Sequence, residues 1–133
     1  MAPRSKLDLT PIFIGIDPGQ EGGITAICGS QIQSLPMPDS DVELFTALRE
    51  MQQLADGVNW ACLERVSASP QMGVTSAFTF GKGYGRLSYA LTAAGIPFDF
   101  VNPQKWQGAL GIPKRKSDET QPQFKHRLRL VAH

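Results

Sequence analysis

The sequence predicts an α/β fold: a mixed five-stranded sheet, made of a three-strand antiparallel meander plus two parallel strands, flanked by helices. Three observations carry this expectation. Short β-rich apolar runs separated by turn residues crowd the first 36 positions. Two segments with apolar residues at helical spacing follow, and each leads into another apolar run. Strands separated by helices return parallel, through right-handed crossovers that cover the sheet.

Residues 1–11 are mixed and polar and read as a flexible N-terminal arm. Ile12 to Ile16 form an apolar run that meets the turn Asp17-Pro18-Gly19, a strand ending on a reversal. Gly22 to Cys28 read as the second strand, Gly29-Ser30 as a turn, and Ile32 to Leu35 as the third, stopped by Pro36 and Pro38. Ser40 followed by Glu43 is a capping-box pattern, so a helix begins there and carries Leu44, Phe45, Leu48, Met51 and Ala55 toward a stop at Gly57. Val58 to Leu63 form the fourth strand, ending on Glu64-Arg65. Phe80, Tyr84, Leu87 and Leu91 mark a second helix, broken at Gly95, and Ile96 to Val101 form the fifth strand. A loop rich in Lys, Gly and Pro leads to a last helical segment from about Ser117.

At 133 residues and 14.5 kDa the chain holds one compact domain, expected over residues 12–133. An apolar fraction of 41% with 19% charged residues excludes disordered and fibrous classes. No run of 18 apolar residues spans a membrane, and the N-terminus lacks a signal-peptide stretch. Cys28 and Cys62 have no metal-ligand spacing and read as buried thiols of an intracellular chain. The formal net charge of +1 conceals an uneven spread. Residues 1–103 carry six Lys/Arg against ten Asp/Glu, whereas residues 104–133 carry seven against two. An acidic body with a basic C-terminal segment points to a polyanionic partner, against the plainer reading of a solvated charged face.

In a sheet of this kind function collects at the carboxyl ends of parallel strands, where Asp17 and Glu64 stand. Two carboxylates held together there repel unless a cation lies between them. Hard divalent ions such as Mg²⁺ bind through one or two carboxylates plus phosphate and water, which suits metal-assisted phosphodiester hydrolysis. The plainer readings are a turn-forming Asp and a local Glu-Arg ion pair.

The ordered set Phe13-Ile14-Gly15-Ile16-Asp17-Pro18-Gly19, Gly22-Gly23-Ile24 and Leu63-Glu64 resembles the RuvC-like Holliday junction resolvases of the RNase H-like nuclease superfamily. Phe78 to Leu87, Gly95-Ile96-Pro97, and Val101-Asn102-Pro103 with Trp106 are similar to the same branch, and the resemblance covers residues 12 to about 130. It implies an RNase H-like fold and a Mg²⁺- or Mn²⁺-dependent endonuclease. That enzyme cuts branched DNA in recombination and repair, as a homodimer, in the cytoplasm on the nucleoid. It implies that Asp17 and Glu64 are the catalytic, metal-binding carboxylates. Lys82 and Arg86 then face DNA, and Lys114 and Lys116 lie in a basic loop that contacts phosphates. Lys105, Arg115 and Lys125 are further DNA-binding candidates from the basic segment.

The family completes its site with further acids on a later helix. This chain ends at Leu130-Val131-Ala132-His133 before any such helix, so a C-terminally incomplete domain is expected. Asp118 and Glu119, after Ser117, fit a helix start, where they complement the dipole. A non-catalytic branched-DNA-binding or assembly module on the same fold is therefore the alternative. An ATPase of the actin/sugar-kinase type also opens with a strand and Asp-x-Gly but needs two such domains.

Gly81, Gly83 and Gly85 lack the ending of a phosphate-binding P-loop and suggest close helix packing or backbone approach to DNA. Phe78, Phe80 and Tyr84 are able to stack on exposed bases at a junction, but their helical spacing favours core packing, with Phe78 still a candidate wedge. Trp106 reads as a loop anchor, and His126 and His133 have no cysteine partners for a metal.

Overall fold

The computed structural model describes residues 10–54, 59–105, 116–120 and 122–123. The chain divides into two compact units, Met1–Phe100 and Val101–His133. Among the described residues, nearly all the regular structure belongs to the first.

Its elements follow the predicted order. Strands β1 (Ile12–Asp17), β2 (Gly23–Cys28) and β3 (Gln31–Pro36) precede helix α1 (Asp41–Gln52), and β4 (Asn59–Glu64), α2 (Val74–Ala93) and β5 (Phe98–Val101) complete the series. The sheet order is β3-β2-β1-β4-β5. β1 and β2 pair antiparallel with Ile14 opposite Ala26, and β2 and β3 pair antiparallel with Thr25 opposite Ser34. β1 and β4 pair parallel, from Ile12 opposite Asn59 to Ile16 opposite Leu63. The expected mixed sheet is therefore present, with the crossover strands added on the far side of β1.

One core explains why the strands alternate as they do. Ile12, Ile14 and Ile16 of β1, Ile24 and Ala26 of β2, and Ala61 and Leu63 of β4 point to one face. There they meet Leu44, Leu48 and Met51 of α1 and Leu87, Ala90 and Leu91 of α2. The opposite face carries a row at one register level: Ile32, Ile27, Phe13 and Trp60, all exposed. The crossovers thus cover one face with both helices. Cys28 lies on the buried side, but Cys62 is exposed, because the register puts it on the face opposite Leu63.

The helix boundaries have local causes. Ser40 caps α1: its hydroxyl accepts from the Glu43 N–H at 3.1 Å, and the Ser40 N–H donates to the Glu43 carboxylate at 3.4 Å. The helix stops at Gln52, earlier than the Gly57 signal, which lies outside the described residues. α2 ends as predicted near Gly95, whose φ of +72° is the left-handed conformation that favours glycine. The Ile96 N–H reaches back to the Leu91 carbonyl at 2.9 Å and closes the end.

In the second unit the helix start differs from the expected Ser117. Ser117 and Asp118 form a turn, closed by the Glu119 N–H on the Lys116 carbonyl at 3.1 Å. The reciprocal bonds of a capping box lie instead between Thr120 and Gln123, at 2.8 and 3.4 Å. Residues 122–123 are helical. The expected helix dipole partners Asp118 and Glu119 accordingly precede the cap. Among the described residues no helix is long and apolar enough to cross a membrane.

Two substitutions test this packing. Leu48→Ala, at a site with no exposure, is expected to cost about 2–5 kcal/mol in urea unfolding. Ser40→Ala is expected to cost about 1 kcal/mol through the lost cap.

Candidate metal and nucleic-acid site

The parallel register carries Asp17 and Glu64 to the same rim. Ile16 and Leu63 are partners, so the next residue on each strand, Asp17 and Glu64, stand side by side on chains about 4.8 Å apart. Because Ile16 and Leu63 face the core, the two carboxylates belong to the opposite face. Asp17 is exposed and Glu64 half-buried. Burial first, and the Asp17 carboxylate second, raise the Glu64 carboxyl above its ordinary range. A partly buried carboxyl beside a second acid makes a place where a cation is favoured. The residues present therefore fit a hard divalent ion held by one or two carboxylates, with the remaining positions left to water and phosphate.

The backbone beside each carboxylate is fixed by a hydrogen bond. Gly19, with φ +116°, turns the chain straight after Pro18, and its carbonyl accepts from the Gly22 N–H at 3.2 Å. On the β4 side, the Tyr84 hydroxyl donates to the Glu64 backbone carbonyl at 3.2 Å. Tyr84 in turn stacks on Phe80 with ring centroids 6.4 Å apart and tilts against Phe100 at 5.9 Å. Phe100 meets Phe98 edge-on and carries the Arg65 guanidinium 5.1 Å above its ring. Arg65 thus packs on an aromatic face. The contact of Tyr84 with Glu64 spans 20 residues of chain, so helical spacing does not reveal it.

The basic candidates fall into different settings. Lys82 is exposed on α2 and lines a groove of about 1300 Å³. The groove also takes in Pro18 and Gly19 of the β1–β2 turn, Met37 after β3, and Phe45 of α1. Arg86 is mostly enclosed: it donates to the Pro38 carbonyl at 2.8 Å and the Asp39 carbonyl at 3.3 Å, and pairs with Asp41 at 3.5 Å. It ties α2 to the link between β3 and α1, contacts 45 to 48 residues apart that spacing does not reveal. Lys105 and Lys116 are exposed in the second unit. Lys114, Arg115 and Lys125 lie outside the described residues, as do Trp106, His126 and His133.

Two expectations about α2 need correction. Phe78 is 74% exposed and does not pack in the core, whereas Phe80 is half-buried against Tyr84. Close packing does not explain Gly81, Gly83 and Gly85 either, since a Cβ at any of them would meet nothing within 4 Å. Glycine inside a helix costs roughly 1 kcal/mol against alanine, and nothing described in this chain offsets that cost. Among the described residues no group of three His, Cys, Asp or Glu side chains is arranged to hold a metal.

With this geometry in hand, comparison with known structures decides the fold. RuvC of T. thermophilus in complex with Holliday junction substrate superimposes with a TM-score of 0.56 at 12% identity, over 91% of this chain and 95% of that one. The fold is RNase H-like. A second Thermus thermophilus RuvC structure matches over 84% of this chain and 74% of its own, with a TM-score of 0.49 and 16% identity. No protein-family model matches the chain, and no curated protein sequence matches it.

The raised Glu64 carboxyl has a direct consequence for stability. The unfolded chain loses that proton at lower pH than the native protein does, so stability falls as pH rises from the ordinary glutamate range through the native value. Removing the neighbouring charge relieves part of this loss. Asp17→Asn is expected to raise the melting temperature at pH 7, and the difference from the parent should shrink once Glu64 is protonated in both. Thermal melts across that range check the sign.

Proposed function

We propose that this protein is a Mg²⁺- or Mn²⁺-dependent endonuclease of the RuvC-like type that hydrolyses phosphodiesters in branched DNA. The observation that carries the reading is the Asp17–Glu64 pair at the carboxyl ends of two neighbouring parallel strands. Its support comes from the likeness of the whole sheet to RuvC in complex with Holliday junction substrate.

In this reading Asp17 and Glu64 hold the cation and are the catalytic carboxylates. When bound, the cation supplies activation of water and balances charge on the phosphate. Burial of Glu64 limits its contact with water, and the Tyr84 bond to its backbone fixes its position. Lys82 contributes a positive charge to the groove that Pro18 and Gly19, the residues after Asp17, also line. Lys105, Lys114, Arg115, Lys116 and Lys125 add phosphate contacts from the basic segment. The open surface at Gly81 and Gly85 lets a backbone outside the chain come close to α2, and exposed Phe78 stands ready to stack on an unpaired base. Arg86 supports the groove wall through its bonds to Pro38 and Asp39. A homodimer suits a two-fold substrate, since it presents one site to each of two equivalent strands.

The second reading, a branched-DNA-binding module that does not cut, is favoured by one observation: the described residues bring together two acidic ligands and not three. Cleavage of a labelled four-way junction in Mn²⁺ separates the two. The nuclease reading expects nicking in preference to linear duplex, and a loss of about 10²-fold or more for Asp17→Asn or Glu64→Gln. Binding in EDTA should persist in both variants and weaken steeply with salt. Binding without cleavage under saturating Mn²⁺ selects the second reading. Unchanged cleavage by Asp17→Asn removes that residue from the site.

A further inference from the structure

We propose that Gly22 is a positioning residue for Asp17: the absence of a side chain at residue 22 is what lets the Asp17 backbone occupy its place at the rim. A Cβ built on Gly22 overlaps the Asp17 carbonyl oxygen and falls 2.9 Å from the Asp17 carbonyl carbon and 3.2 Å from that of Pro18. All three atoms are backbone, so no side-chain rotation relieves the overlap. Gly22 is not among the glycines with positive φ, so its requirement is for space alone and not for conformational freedom.

Gly22 is also fixed from its other sides, which decides which partner would give way. Its N–H donates to the Gly19 carbonyl at 3.2 Å, and its own carbonyl accepts from the Met37 N–H at 3.1 Å. The residues following Met37 are in turn held by Arg86, through the Pro38 and Asp39 carbonyls. Residue 22 is therefore braced against α2 through the link after β3. Asp17 is the last residue of its strand: it is still level with Gly23 of β2, but the next residue, Pro18, has no N–H to extend the ladder. An added methyl group pushes the exposed Asp17 end of β1 and leaves the braced segment where it is. The displacement moves the Asp17 carboxylate relative to Glu64 without removing either charge. As a site for a cation this inference rests on the proposed function; as a statement about where Asp17 stands it does not.

A glycine with open space supplies the control. Gly23 is unsuitable, since it is the register partner of Asp17 and a Cβ there would meet the Leu35 carbonyl oxygen at 2.9 Å. A Cβ at Gly73, the N-cap of α2, would meet nothing within 4 Å. Mn²⁺ binding measured by calorimetry on the full chain, without DNA, compares Gly22→Ala with Gly73→Ala. Gly22→Ala should bind Mn²⁺ about tenfold more weakly or worse, in the range found when groups that orient a metal ligand are disturbed. Gly73→Ala should stay within about threefold of the parent, while junction binding in EDTA is retained by both. In the metal-free proteins the Asp17 side-chain carboxyl ¹³C resonance should shift in Gly22→Ala and hold in Gly73→Ala. Equal effects in the two variants overturn the positioning role. So does a Gly22→Ala protein that fails to fold while Gly73→Ala folds, because the glycine then serves the fold as a whole. Should the parent itself bind no Mn²⁺, the metal reading fails, and the resonance shift alone judges the placement of Asp17.

Discussion

The pairing of β1 with β4 is the constraint on which the rest of the molecule depends. A parallel pair cannot be closed by a hairpin, so the chain must leave the sheet after the β1–β3 meander, form α1, and return in the same direction as β1. That detour brings Leu44, Leu48 and Met51 of the first helix into one core with Ile12, Ile14 and Ile16. It also aligns the carboxyl ends of the two strands, so that Asp17 and Glu64 share a rim. A slip of one residue in β4 would turn Leu63 out of the core and Glu64 into it, so the apolar contacts of Leu63 and Ala61 hold the acid pair in place. Packing on one face thereby sets the electrostatics of the other.

The acids oppose each other at a cost that the surrounding structure absorbs. Glu64 is drawn partly out of water beside a second carboxylate, and its backbone is tied to Tyr84 within a cluster of Phe80, Phe98 and Phe100. Asp17 has no such aromatic support and relies on the turn that follows it. The two halves of the pair are thus held by different means: one by a hydrogen bond and stacked rings, the other by a backbone reversal with a glycine pressed against it. The brace behind that reversal runs from Gly22 through Met37 to the carbonyls that Arg86 grips.

What was legible in the sequence follows from the range of each interaction. The Ser40–Glu43 cap involves residues three apart and was readable directly; Thr120 and Gln123 show the same pattern, which the Ser-Asp-Glu run at 117–119 obscured. The order of elements and the positions of Asp17 and Glu64 at strand ends are also readable, because those ends are marked by Pro18 and by the change from apolar to polar after Leu63; that β1 and β4 are neighbours comes from the sheet itself. The face on which an isolated residue lands was less so. Helical spacing alone points Phe78 to the core although it is exposed on α2, and composition alone buries Cys62, which the register of β4 turns outward. The clamp formed by Arg86 and the clash reserved for residue 22 arise only once distant segments meet.

The most direct measurement is an NMR titration of the Glu64 side-chain carboxyl in the parent and in Asp17→Asn, with and without Mg²⁺. A cation-holding pair requires a midpoint above the ordinary glutamate value in the parent, a lower one in Asp17→Asn, and a lower one again when Mg²⁺ is added to the parent. An ordinary midpoint that responds neither to the loss of the Asp17 charge nor to Mg²⁺ would contradict it.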